Sequence, residues 1–345
     1  MIITKNNLFF VLITVISITI GFSTPSQNID NSGVSVFMYH RFGDDRYPST
    51  NIKLNQFELH IREIIENDYN IISIDEVIHN LENNLPFEDR SIAFSVDDAH
   101  ESFFLNGWPI FKKNKIPVTL FVSTSMVDDN ISDYMTWNQI KEFIRDGGEI
   151  GQHTANHDHM PTIDKVEILK DIKESHQRFI DELGFVPKAF AFPYGEASIE
   201  VIEILKEMNI KNAFGQHSGV VSNQSDFYYL PRFSINENFG SLDRFIFAAN
   251  SKALNISDFV PNDMYLDTNN HNKIEFNIPD YINYKNINCY ANFNKEWIEI
   301  NLIETNKNRI QFDLIRDFDH GRRRFNCTTK FNDEWYWFGY QFLVK

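Results

Sequence analysis

Between residues 34 and 235 short β-rich apolar runs alternate with amphipathic stretches, and this alternation constrains the fold more than any other feature of the chain. Candidate strands are VSVFMY (34–39), NIISI (70–74), SIAFSV (91–96), VTLFVS (118–123), EIGQ (149–152), AFAF (189–192), NAFG (212–215) and YYLPRFSI (228–235). Helical patterns fit 54–67, 75–83, 136–146, 164–183 and 198–209. In the clearest of these, Val166, Leu169, Ile172, His176, Phe179, Ile180 and Leu183 share one stripe, Asp164 with Glu167 reads as a capping box, and Gly184 stops the helix. Strands that alternate with helices pair in parallel, and this many units predict a closed or nearly closed (β/α) barrel.

The pattern changes near residue 255. KIEFNI, NINCYANF, WIEINLI, RIQFDLI, RRFNCTTKF and WYWFGYQFLV are strand-like runs separated by Asn, Asp, Gly and Pro, which predicts a small C-terminal antiparallel β domain, a sandwich, over 255–345. Trp297, Trp335, Tyr336 and Trp337 either offer faces for stacking on sugar rings or fill the sandwich core. Both cysteines, Cys289 and Cys327, fall in this domain, and their spacing leaves a disulfide and two buried thiols equally open. At the other end, Lys5 precedes an apolar run from Leu8 to Ile20 and small residues through Ser23, the layout of a signal peptide over 1–23, either cleaved near Ser23 or kept as a membrane anchor. The chain is therefore expected to be exported, to periplasm or extracellular space, with no integral membrane segment after the signal. Its formal charge of −16, with acidic residues scattered, excludes nucleic acid as a partner class.

A barrel over 34–252 makes a further demand. Chemically active side chains belong at the carboxyl ends of its strands, where they face one mouth. His40 follows the first strand, Asp97 and Asp98 the third, His153 the fifth, Pro193 and Tyr194 the sixth, and His217 the seventh. Two adjacent carboxylates ending an apolar strand, in SVDDAH, repel each other unless a cation is present. HTANH places His153 and His157 four positions apart, so that a tight turn brings both imidazoles to one point. Together with Asp98 they supply two nitrogens and one oxygen. That set leaves a position open on a tetrahedral zinc-like ion, the arrangement of a catalytic site. Asp97 is then placed to take a proton from water, and His40, with His217 as rival, to protonate a leaving amine.

These motifs have a known counterpart. SVDDAH resembles the Asp-Asp motif of polysaccharide deacetylases (carbohydrate esterase family four), HTANH is similar to that family's His-Ser/Thr-x-x-His, and FPYG resembles its Pro-Tyr motif. The resemblance covers residues 34–250 and implies a distorted (β/α) barrel. It also implies that Asp97 is the general base, that Asp98, His153 and His157 bind a divalent metal, most simply Zn2+, and that the Tyr194 N–H helps hold an oxyanion. Two departures stand out. Ala191 occupies the place of the family's base-orienting arginine, a role that Arg232 of LPRF could assume, and no late Leu-x-His motif follows residue 235. MYHRF instead fits the permuted branch resembling exported poly-N-acetylglucosamine deacetylases, in which the acid histidine comes early, as His40 does.

The expected activity is metal-dependent removal of N-acetyl groups from an acetylated polysaccharide of the N-acetylglucosamine type. An O-acetyl esterase on the same barrel and a non-catalytic glycan-binding surface protein are the alternatives. Trp137, His100, Glu196 and the loop DDRYPSTN (44–51) are further candidates for the walls of the site.

Overall fold

The computed structural model describes residues 33–345 except 130, 267–272, 294–295 and 315–317, so the expected signal at 1–23 lies outside the described residues. Five parallel strands form the centre: β1 (Val34–Tyr39), β2 (Ser91–Asp97), β3 (Thr119–Val122), β4 (Glu149–Gln152) and β5 (Phe233–Ser234), in the order β4-β3-β2-β1-β5. β1 to β3 are buried on both faces, as a parallel sheet covered by helices requires. Asn70–Ile71 adds a short pairing beside the start of β2.

The ring closes through single parallel bridges, from Gln152 to Phe190, from Ala191 to Phe214 and from Phe214 to Leu230. Segments 189–192 and 212–215, expected as strands, are thus reduced to isolated rungs. The first is cut short by Pro193, which has no N–H to donate, and by Tyr194, which turns into the left-handed region at φ 58°. A distorted barrel is the result.

Register sets the mouth. Val34 through Tyr39 pair with Ser91 through Val96, so His40 and Asp97 emerge at one level. Val122 pairs with Gln152, so Ser123 and His153 emerge together beside them.

Helices α1 (Leu54–Glu66), α2 (Ile74–Glu82), α3 (Trp137–Arg145), α4 (Lys165–Leu183), α5 (Ile199–Glu207) and α6 (Leu242–Ala249) surround the strands. Asp164 caps α4 by accepting from the N–H groups of Val166 and Glu167, and Gly184 ends it at φ 83°. The buried face of α4 differs from the expected stripe. Ile168, Asp171, Ile172, Ser175 and Phe179 are buried, whereas Val166 and Ile180 face outward. The Asp171 carboxylate lies on this buried face and accepts from the backbone of the loop that follows β4, described below.

The C-terminal layer has β6 (Ile287–Phe293), β7 (Glu296–Asn306), β8 (Arg309–Asp313), β9 (Gly321–Phe331) and β10 (Glu334–Val344) as its main strands. The first half of β7 pairs with β6 and its second half with β8. One long strand therefore passes between two sheet faces, which close on Phe276, Phe312, Phe325 and Phe342. The pairing is mixed rather than purely antiparallel, because Lys252–Ala253 and Tyr265–Leu266 run parallel to β10. Cys289 and Cys327, opposite each other on β6 and β9, form a disulfide. By chain entropy, closing that 38-residue separation contributes about 4 kcal/mol.

The four aromatics do not make one platform. Tyr336 and Trp337 are buried, Trp335 and Trp337 lie on one face of β10 against Phe247, Tyr336 lies on the other, and Trp297 of β7 is exposed. Trp337 also meets Phe233 of the barrel at 5.0 Å, joining the second layer to the first. The described residues form one compact unit. Among the described residues, no helix is long and apolar enough to cross a membrane.

Candidate active site

The turn after β2 separates the two aspartates. Asp98 and Ala99 take φ of 74° and 59°, which sends the Asp97 side chain back into the barrel and Asp98 toward the mouth. Such backbone costs on the order of 1–3 kcal/mol per residue and concentrates at functional sites. Asp97 is fully buried and meets the fully buried Arg232 in a two-pronged ion pair, with Nη1 donating to Oδ1 at 2.7 Å and Nη2 to Oδ2 at 2.8 Å. Arg232 also donates to Gly215 O at 2.9 Å and Ser95 Oγ at 3.1 Å, so its fork is fixed. Burial alone would raise the Asp97 carboxyl, but Arg232, with His153 and His40, outweighs it and holds the group below the ordinary carboxylate range.

The loop after β4 is built with equal care. Thr154 and His157 both have positive φ, and the Thr154 hydroxyl accepts from the His157 N–H at 3.1 Å. From α4, Asp171 accepts the N–H groups of Ala155 at 3.1 Å and Asn156 at 2.8 Å. Nothing in the sequence pattern singled out Asp171. A charged residue on a buried helical face, within reach of a ligand-bearing loop, was the available signal.

His153 Nδ1–H donates to Ala191 O at 2.7 Å, which turns Nε2 toward Asp98. His153 Nε2 lies 3.4 Å and His157 Nε2 3.3 Å from Asp98 Oδ1. Both Asp98 Oδ1 and His153 Nε2 are buried without a hydrogen-bond partner. The nearest ligand atoms of the three residues all fall within 4.8 Å of one another. A tetrahedral ion with bonds of about 2.0–2.1 Å separates its ligands by roughly 3.3 Å, so the donor set fits a divalent metal in both chemistry and size. The oriented imidazole, anchored through its other nitrogen to a carbonyl, is the usual support for such a ligand. Asp98 is held well below the ordinary range: burial raises it, and the His100, His153 and His157 imidazoles around it more than compensate.

A cleft of about 450 Å³ opens over these groups, lined by His40, Ser49, Thr50, Asp98, His157 and Tyr194 among others. His40 therefore shares the cleft with the Asp98 cluster, and burial lowers its pKa against the pull of Asp98 and Asp97. His217 does not share it. That ring lies in a separate cavity against Tyr229 and Tyr340, and burial lowers it to about 3. His100 contacts the second Asp98 oxygen at 3.2 Å. Glu196 is buried against His159 Nδ1 at 2.6 Å, whereas Trp137 packs on Phe179 with its indole N–H on Asp128 and does not line the cleft.

Tyr194 sits at the tip of the FPYG turn, its ring stacked on His159 at 4.1 Å. Its carbonyl and that of Gly195 accept from Gln341 Nε2 at 3.1 and 2.8 Å. Gln341 belongs to β10, so the second layer braces this turn. Sequence reasoning missed it because no local pattern marks a glutamine that acts across 146 residues.

Residues 84–213 match the polysaccharide deacetylase family model. The poly-β-1,6-N-acetyl-D-glucosamine N-deacetylase of Staphylococcus aureus (strain MSSA476) is 25% identical over 214 residues, 59% of this chain and 73% of its own length. The enzyme of the same name from Staphylococcus epidermidis is 24% identical over 195 residues, 53% of this chain and 67% of its own. Among solved structures, the Streptococcus pyogenes deacetylase PplD in complex with acetate superposes with a TM-score of 0.57 at 21% identity, covering 62% of this chain and 96% of its own. IcaB from Ammonifex degensii gives 0.55 at 21% identity over 63% and 97%. These two share the fold of the barrel.

Proposed function

We propose, for a chain whose residues 84–213 match the polysaccharide deacetylase family model, that it removes N-acetyl groups from a polysaccharide of the N-acetylglucosamine type outside the cytoplasm, with a divalent metal, zinc by its ligands, at Asp98, His153 and His157. The observation that carries this reading is the pair of buried, unpartnered ligand atoms, Asp98 Oδ1 and His153 Nε2, aimed at each other beside a carboxylate locked by arginine. The names of the staphylococcal relatives supply the substrate class.

A cation held there would lower the pKa of a water and polarise the acetyl carbonyl. Asp97, kept ionised and oriented by Arg232, accepts the proton of the attacking water. The Tyr194 N–H, presented by its left-handed turn, donates to the oxyanion that develops on the acetyl oxygen. His40, across the cleft, gives its proton to the departing nitrogen, without which an amine leaves poorly.

The test is acetate release from N-acetylglucosamine oligomers, with chelator and with metal restored. Asp97→Asn is expected to retain bound metal and lose turnover by at least about a hundredfold, the lower end of the range for a general base, whereas His153→Ala loses both. Near-normal rates in Asp97→Asn would overturn the base assignment, and turnover indifferent to chelation would overturn the metal.

A further inference from the structure

The cleft has a second wall that the deacetylase chemistry leaves unused. Arg322 and Arg324 stand at alternate positions of β9, so both side chains project from one face, and both line the cleft together with Asn292 of β6. Arg323 between them points the other way and donates to backbone carbonyls. Arg324 is oriented by its Nε, which donates to Gln341 Oε1 at 2.6 Å, and among the described residues it makes no ion pair with a carboxylate. Burial and the neighbouring Arg322 push its guanidinium down to about 10, which still leaves it charged at neutral pH. Arg322 is only loosely held. Its Nε lies 3.6 Å from Glu196 Oε1, while the other Glu196 oxygen is taken by His159, and its guanidinium carbon is 5.3 Å from the centre of the Tyr194 ring.

Two guanidiniums side by side repel each other, and a chain with formal charge −16 has carboxylates in excess with which to pair them. Here the cleft lining holds two arginines against one carboxylate, Asp98, which is already engaged by three imidazoles. A planar fork without a carboxylate partner, facing a cleft, is suited to bidentate capture of an anion.

We infer that Arg322 and Arg324 form an anion subsite in the deacetylase cleft, which takes a carboxylate or phosphate carried on a sugar beside the one that loses its acetyl group. This inference rests on the deacetylase reading. It makes the preferred substrate an acidic N-acetylglucosamine glycan, and it assigns to the C-terminal layer the choice of substrate.

The experiment compares kcat/KM for acetate release from three sets of oligomers of equal length. One is neutral N-acetylglucosamine, one carries an ether-linked carboxylate on alternate sugars, and one carries a phosphate ester there. The wild-type protein is expected to prefer one or both acidic sets about tenfold in 50 mM salt, with the preference shrinking in 0.5 M salt, and the two acidic arms separate carboxylate from phosphate. Arg324→Gln and the Arg322→Gln/Arg324→Gln pair should bring the acidic-to-neutral ratio to about one. If Arg324→Gln does not fold, because Gln341 leans on it, the half-exposed Arg322→Gln carries the test with a threefold fall in that ratio. Equal wild-type turnover of acidic and neutral oligomers, or a preference that persists in the variants, would overturn the subsite. Acetate from none of the three would sink the deacetylase reading and this one with it.

Discussion

Removing the arginine behind the base isolates a charge in the barrel. Arg232 and Asp97 are both fully buried, and their two bonds of 2.7 and 2.8 Å are the main compensation for desolvating either group. Arg232→Met keeps most of the stem volume beside Phe121 and Phe214 and deletes the cation, so the buried Asp97 carboxylate loses both guanidinium bonds. Breaking a buried pair in this way costs about 3–5 kcal/mol, a large part of the stability of an ordinary domain. Asp97→Asn is milder, about 2–3 kcal/mol, because the amide oxygen still accepts one guanidinium N–H while Gly215 O holds Nε. In the double variant neither charge is stranded. Its loss should therefore fall short of the sum of the single losses by about 2–3 kcal/mol.

Urea denaturation of the metal-stripped protein measures all four corners of this cycle, followed by far-UV circular dichroism and tryptophan fluorescence. Coincidence of the two probes establishes one transition, and a constant slope licenses comparison of the midpoints. A coupling below about 0.5 kcal/mol, the usual error of additivity between independent sites, would refute the reasoning. So would an Arg232→Met protein as stable as wild type.

Two further outcomes follow from groups outside the metal cluster. His60 is fully buried between the Tyr39 hydroxyl and Gly240 O and stacked on Phe245, and burial lowers it to about 4, as it lowers His217 to about 3. Both fold neutral while the unfolded chain takes up protons below about pH 6.5, so their stabilisation is complete above 6.5 and is lost as pH falls toward the folded values. Between pH 7.5 and 5 the two together should remove about 4 kcal/mol, read by urea midpoints, and His60→Gln should remove about half of that pH dependence; an unchanged slope would refute it. Gln341→Ala, which frees the Tyr194 turn, is expected to lower kcat about tenfold or more with a smaller change in KM, as misplacement of a transition-state donor does; lower stability with kcat intact would reduce Gln341 to a structural brace.

The parts legible in the sequence were those encoded locally. Strand runs long enough to alternate or to stay apolar, 34–39, 91–96 and 149–152, match observed strands, and the caps at Asp164 and Gly184 bound α4 as expected. Asp97, Asp98, His153, His157 and Tyr194 stood out because each belongs to a short motif after a strand, where barrel geometry gathers side chains. What escaped was set by distant partners. Asp171 lies on the buried face of α4, where the pattern showed no apolar residue, and it serves a loop outside that helix as an acceptor. Segments 189–192 and 212–215 had strand composition, yet each makes only isolated bridges, the first being cut short by a proline and a left-handed tyrosine. His40 and His217 were equivalent by position after a strand. They diverge because the chain beyond Phe214 turns His217 toward Tyr229 and Tyr340 and away from the Asp98 cleft.

The second layer illustrates the same point at larger scale. By composition it is a separate β module, and its cysteines and aromatics say nothing of catalysis. Yet the carbonyls of Tyr194 and Gly195 are directed toward Gln341, whose side chain is only 1% exposed, and the Tyr229 hydroxyl lies within 3.1 Å of Gly195 O and 3.0 Å of Gln341 O. Buried carbonyls need donors. The strained turn carrying both is held by the β10 amide together with the Tyr229 hydroxyl, and the N–H of Tyr194 points wherever that turn points. The aim of the proposed oxyanion donor is thus fixed from outside the barrel, by the same glutamine that orients Arg324. Recognition of the glycan and alignment of the turn consequently share a single side chain, so a change in β10 or β9 that shifts Gln341 should disturb both together.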